Sequence, residues 1–110
     1  MPRDFEAYLE DIRQAISRIQ HYAEGLTLES FAQDTRTIDA VIRNLEIIGQ
    51  AAKMIPESAR ASYPNIEWRK IAGLRDILAH QYFEVDLDII WDILQNKLPA
   101  LERELSENPK

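Results

Sequence analysis

The feature that most constrains this chain is the spacing of its apolar residues, which recur every three or four positions almost from end to end. Between Asp34 and Pro56, the residues Ile38, Val41, Ile42, Leu45, Ile48, Ala52 and Ile55 fall on one stripe of a 3.6-residue helix. Phe5, Tyr8, Leu9, Ile12, Ala15, Ile16, Ile19, Tyr22 and Ala23 draw a second stripe over Asp4 to Glu24, stopped by Gly25. Leu87, Ile90, Trp91, Leu94, Leu98, Leu101 and Leu105 draw a third. Asp86 is placed to cap that helix, and Pro99 is expected to kink or split it, because the ring clashes with the carbonyl at position 95. No run shows the strict alternation of a half-buried strand. The pattern predicts an all-α, up-and-down helical bundle with short connections, as a single domain over residues 1–110.

Shorter elements fit between these stripes. Thr27 caps a brief turn of helix through Leu28 and Phe31, and Asp34 caps the long helix that follows. Ser58 to Tyr63 reads as one helical turn between Pro56 and Pro64, after which a helix carries Trp68 to Ala79 and ends near Ala79 to Gln81. Tyr82, Phe83 and Val85 read as an extended exit. Gly73 costs that helix about 1 kcal/mol relative to Ala, which marks a close approach by another backbone or a ligand. Ala40, Ile47, Ala51 and Met54 widen the apolar face of the long helix, a feature that extra packing within one chain and a contact between two copies explain equally well.

Charge narrows the possible partners. Thirteen Lys and Arg stand against 19 Asp and Glu, a net charge of −6 that excludes polyanion binding over the whole surface. The balance is uneven: residues 56–75 carry Arg60, Arg69, Lys70 and Arg75 against Glu57 and Glu67, whereas the chain from Glu84 onward is acidic. An anionic ligand is therefore met locally. The chain has no cysteine, which excludes a disulfide framework and a zinc knuckle and fits a reducing cytosol. Acids at Asp4 and Glu6, with no apolar signal core and no membrane-length apolar run, make the cytoplasm the expected location and exclude a membrane partner.

The basic region ends in Gly73-Leu74-Arg75-Asp76-Ile77-Leu78-Ala79-His80-Gln81-Tyr82-Phe83, which gathers an arginine, an acid, a histidine and a tyrosine into eight positions. On a helix, Arg75 falls near the middle of the apolar arc made by Trp68, Ile71, Ala72, Leu74, Leu78 and Ala79. A guanidinium there must meet a carboxylate, line a wet cleft or hold an anion. His80 lies five residues on, about 140° around a straight helix, so either the helix unwinds before His80 or a second copy of the chain completes the site.

Several chemistries compete for this stretch. Asp76 and His80 at i, i+4 could share a metal, but no third ligand is apparent, and we expect neither metal nor cofactor. None of the serines sits in a nucleophile-elbow context. A purely structural reading pairs Arg75 with an acid of the last helix and lets His80 cap a helix C-terminus. What remains is acid–base chemistry on a phosphate: His80 to take or give a proton, Arg75 to bind the phosphoryl group, and Tyr82 to donate a hydrogen bond or accept a modification. On the long helix, Arg36, Asp39, Arg43, Glu46 and Gln50 form a polar edge, read either as solvated i, i+4 pairs or as a wall of the active cleft. His21, off the apolar stripe, reads as a surface residue.

The spacing Arg75, four residues, His80, one residue, Tyr82 resembles the Arg-x4-His-x-Tyr signature of HepT-like toxins, within the HEPN superfamily of small α-helical ribonucleases. LEIIGQAAKMIP (Leu45 to Pro56), YPNIEWRKIAGLRDILAHQYF (Tyr63 to Phe83) and DIIWDILQNKLPALERE (Asp88 to Glu104) are similar to segments of that family, so the resemblance runs to about Glu104. It implies a HEPN-like bundle, a homodimer whose two motifs face one cleft, and a metal-independent endoribonuclease acting on RNA. It also implies a partner, a minimal nucleotidyltransferase antitoxin of the MntA type that transfers AMP to the motif tyrosine, here Tyr82. On that resemblance Arg75 would stabilise the charge on phosphorus, His80 would serve as base or acid, and Asp76 would orient one of them. Gln50 stands where many relatives carry Glu. A noncatalytic helical subunit that presents substrate or nucleotide to a nucleotidyltransferase is the alternative function.

Overall fold

The computed structural model describes residues 4–80 and 86–107. Seven α-helices run through them: α1 (Phe5–Ala23), α2 (Leu28–Ala32), α3 (Thr35–Lys53), α4 (Glu57–Arg60), α5 (Trp68–His80), α6 (Leu87–Asp92) and α7 (Leu98–Glu107). A π-helical segment, Ile93–Lys97, joins α6 to α7. No strand occurs among the described residues, so the all-α bundle expected from the apolar spacing is the one observed.

The helix starts follow the capping chemistry. Asp4 accepts from the Glu6 amide at 3.3 Å, and Thr27 and Ser30 close a reciprocal capping box at the head of α2. Asp34 accepts from the Thr37 amide at 3.0 Å and from its hydroxyl at 2.7 Å. Asp86 accepts from the Asp88 amide at 2.8 Å. Gly25 supplies the left-handed residue that ends α1, with φ of 79°.

Helix α3 is the axis of the bundle, packed along α1 on one side and α5 on the other. Its stripe buries Val41, Leu45 and Ile48 against Leu9, Ile12, Ile16 and Ile19 of α1, while Leu78, Ile90, Leu94 and Leu105 close the remainder of the core. Phe31 of α2 meets Trp91 of α6 at 5.3 Å between ring centroids, tying the short helix to the C-terminal arm. Asn44 is the buried polar residue of this core; its amide donates to the Ala40 carbonyl at 2.9 Å, and its oxygen accepts from Arg18 of α1. Arg60 reaches back to the Ala52 carbonyl at 3.0 Å, satisfying the C-terminal end of α3, and lies over the Trp68 ring.

Two local expectations change, and a third takes a definite form. The turn expected over Ser58 to Tyr63 begins one residue earlier and closes at Arg60, because Pro56 serves as its N-cap. The split expected at Pro99 takes the form of a wider π turn between α6 and α7, just ahead of the proline, in which the Leu98 amide bonds to the Ile93 carbonyl. That turn absorbs one extra residue before the proline. The glycine at a close helix approach is Gly49, not Gly73, whose missing side chain faces nothing within 4 Å. Residues 81–85, which hold the extended exit expected at Tyr82, Phe83 and Val85, lie outside the described residues.

Candidate active site

The site is built where α3 and α5 touch. A side chain at Gly49 would stand 2.9 Å from Arg75 Cβ, 2.9 Å from the Arg75 amide nitrogen and 3.2 Å from the Ile71 carbonyl. Glycine is therefore what lets the helices meet backbone to backbone at that level. Placed there, Arg75 projects from α5 into a cleft of about 390 Å³ that three helices wall. Helix α3 contributes Arg43, Glu46, Ile47, Gln50 and Ala51, which share one face at i, i+3, i+4, i+7 and i+8. Helix α1 contributes Tyr8 and Asp11, one turn apart.

Of the three fates open to a guanidinium on an apolar arc, the structure shows the wet cleft. The Arg75 side chain is 45% exposed and approaches Asp76 at 3.8 Å, with the Asp76 side chain 61% exposed. A pair that long and that wet is worth little, so most of the fork of donors stays available to a ligand. The pairing of Arg75 with an acid of the last helix, required by the purely structural reading, does not form among the described residues: its acid neighbour is the adjacent residue on α5.

Helix α5 continues through His80, so the chain does not unwind ahead of it. The positions of Arg75 and His80 thus keep the roughly 140° offset of a regular helix. The His80 side chain and Tyr82 lie outside what the structure describes. Asp76 is beside Arg75 and is not among the residues that line the cleft.

The polar edge of α3 divides. Arg43, Glu46 and Gln50 line the cleft with Arg75, whereas Arg36 and Asp39 do not. The wall reading therefore holds for the C-terminal two turns of that edge and fails for its start. The α1 wall, Tyr8 and Asp11, was not legible in the sequence as part of the site; both belong to a stripe and turn pattern that a plain amphipathic helix would also show. His21 is exposed, as expected.

Comparison with known proteins decides the family. The family model described as Ribonuclease HepT-like matches residues 12–107. The chain belongs to the HepT-like ribonuclease family. It is 42% identical to a "Probable ribonuclease HepT" of Thermococcus cleftensis, over 93% of this chain and 93% of that protein. It is 31% identical to an "mRNA nuclease HepT" of Shewanella oneidensis, over 84% of this chain and 86% of that protein. No solved structure matches it. The HepT-like match covers α3 and α5 whole and α1 from Ile12, so it begins after Tyr8 and Asp11. No helix among the described residues is long and apolar enough to cross a membrane.

Proposed function

We propose that this HepT-like ribonuclease cuts RNA by acid–base chemistry at Arg75 and His80, as the toxin half of a toxin–antitoxin pair. The observation that carries the reading is the Arg75 guanidinium, half exposed and only loosely paired, standing in a cleft five residues ahead of the histidine on one helix.

In the proposed step the substrate supplies its own nucleophile. His80 takes the proton of a ribose 2′-hydroxyl, the 2′-oxygen bonds to the adjacent phosphorus, and the bond to the 5′-oxygen breaks as that oxygen takes up a proton. The products are a 2′,3′-cyclic phosphate and a free 5′-hydroxyl. Arg75 holds the non-bridging oxygens as charge builds on them, using parallel N–H donors that match phosphate geometry. A histidine titrates near neutrality and suits both proton transfers. The regular course of α5 favours a homodimer, in which His80 of one copy serves the phosphate held by Arg75 of the other. Asp76, beside Arg75, limits the ways the guanidinium can turn.

Regulation follows from position. Tyr82 stands two residues past His80, and AMP transferred to its hydroxyl by a nucleotidyltransferase antitoxin adds a bulky anion where substrate phosphate must sit. The decisive experiment incubates purified wild type and His80→Ala protein with total RNA and maps the ends. Cyclic phosphate ends that depend on His80 support the reading. Equal cleavage by both proteins removes His80 from the mechanism, and no cleavage by either points to the noncatalytic binding subunit.

A further inference from the structure

The cleft contains a second guanidinium. Arg43 of α3 lines the same cavity as Arg75 of α5, together with Glu46 and Gln50 on the same face of α3. Arg43 lies six residues before Gly49, the position that abuts Arg75. Six residues are about 9 Å along a helix axis, so Arg43 and Arg75 reach the cleft at separate levels. Sites of roughly 300–1,000 Å³ hold small ligands, so a cleft of about 390 Å³ takes a nucleotide, and it is too small for a duplex.

We infer that the α3 wall is a single-stranded RNA subsite, in which Arg43 holds a phosphate near the one at Arg75 and Gln50, one residue from Gly49, reads the base beside the Arg75 phosphate. The inference rests on the nuclease reading above and extends it from the reacting phosphate to its neighbours. The chemistry of the wall fits this task. Two guanidinium groups in one cavity are the places where phosphates are stabilised, while Glu46 repels them from the space between. Gln50 offers a donor and an acceptor together, which is what a base edge requires. RNA read in this way is unstacked and single-stranded, with its bases available to side chains. The net charge of −6 favours such local contacts, since the surface taken as a whole gives RNA no general attraction.

The test measures binding of a short single-stranded oligoribonucleotide of mixed sequence to His80→Ala protein across a salt series, with Arg43→Ala or Lys53→Ala added. Arg43 and Lys53 are both exposed on α3, but Lys53 is outside the cleft, so it controls for loss of one charge. The expected result for Arg43→Ala is affinity about tenfold weaker and a salt slope lower by about 0.7, the value for one single-strand phosphate contact. Lys53→Ala changes neither, and the melting temperatures of both variants match the parent. In the active protein, Arg43→Ala raises KM with kcat nearly unchanged, and Gln50→Ala shifts the base preference beside the cut. Equal behaviour of Arg43→Ala and Lys53→Ala overturns the subsite even if wild type cleaves RNA. If cleavage proves independent of His80 while Arg43→Ala still weakens binding, the nuclease reading falls and the RNA contact stands. Absence of any RNA binding at low salt overturns both.

Discussion

Gly49 and Arg75 meet where α3 crosses α5, so closely that a methyl group on the glycine would stand 2.9 Å from both the Cβ and the amide nitrogen of the arginine. A backbone nitrogen cannot turn aside as the end of a flexible side chain can. Gly49→Ala must therefore push the helices apart. Overpacking of this kind costs about 1–3 kcal/mol, and alanine returns about 1 kcal/mol of helix propensity. We expect a modest net loss of stability and a larger loss of turnover, because the displaced residue is the one proposed to hold the phosphate. Denaturant unfolding and single-turnover cleavage measure the two effects. An alanine variant as active and as stable as wild type would show that this contact does not set the position of Arg75.

Arg75 itself separates function from folding. Its side chain is 45% exposed and its contact with Asp76 is long, so Arg75→Ala should change stability by no more than about 0.5 kcal/mol. Losing the donors that meet charge on phosphorus should cost kcat on the order of 10²–10³-fold. His80→Ala should fall by at least about 10²-fold, the lower end of what general acid–base catalysis contributes. Kinetics alongside thermal melts decide between this and a structural role, which would lower the melting temperature of Arg75→Ala and leave cleavage intact.

The apolar spacing was enough to place all the long helices, and for a physical reason: the stripes of α1 and α3 are buried in one shared core, so periodicity and packing agree along both helices. The caps at Thr27, Asp34 and Asp86 were legible for the same reason, since a side-chain oxygen before an apolar stripe has one obvious use. What escaped was depth across elements. Gly73 looked like the point of close approach because a glycine inside a helix costs about 1 kcal/mol of propensity, but only the crossing of two helices reveals that Gly49 is the glycine another backbone touches. Arg75 and the Arg43, Glu46 and Gln50 edge were each visible, yet nothing local states that they face one space. Tyr8 and Asp11 join them from a helix whose own pattern is explained by packing alone.

Asp34 should make the stability of α3 depend on acid. The hydrogen bond from the Thr37 hydroxyl, followed by that from the Thr37 amide, holds its carboxyl below the usual carboxylate range, with Arg36 adding to the effect. A carboxyl whose pKa is depressed by folding contributes stability above its unfolded pKa and loses it as pH falls through the folded value. Asparagine at this position can still cap the helix but cannot titrate. The difference in unfolding free energy between wild type and Asp34→Asn should therefore be constant near neutral pH and drift against wild type as the solution is acidified below the ordinary aspartate range. A difference that stays flat through that range would mean the Thr37 bonds do not distinguish the ionised carboxylate.

Tyr82 provides a test of regulation that leaves catalysis measurable. In AMP transfer the tyrosine oxygen attacks the α-phosphorus of ATP, pyrophosphate departs, and the side chain gains a nucleotide with a charged phosphodiester. Phenylalanine has no oxygen to attack with but keeps the ring, so Tyr82→Phe should retain at least about a tenth of wild-type cleavage if acid–base chemistry belongs to His80. Wild type incubated with the proposed nucleotidyltransferase antitoxin, ATP and magnesium should gain the mass of one AMP and lose cleavage. Tyr82→Phe under the same treatment should gain no mass and go on cutting. Silencing of the phenylalanine variant to the same extent as wild type, with no added mass, would mean that the antitoxin acts by covering the cleft; a mass gain on that variant would move the modification to another residue.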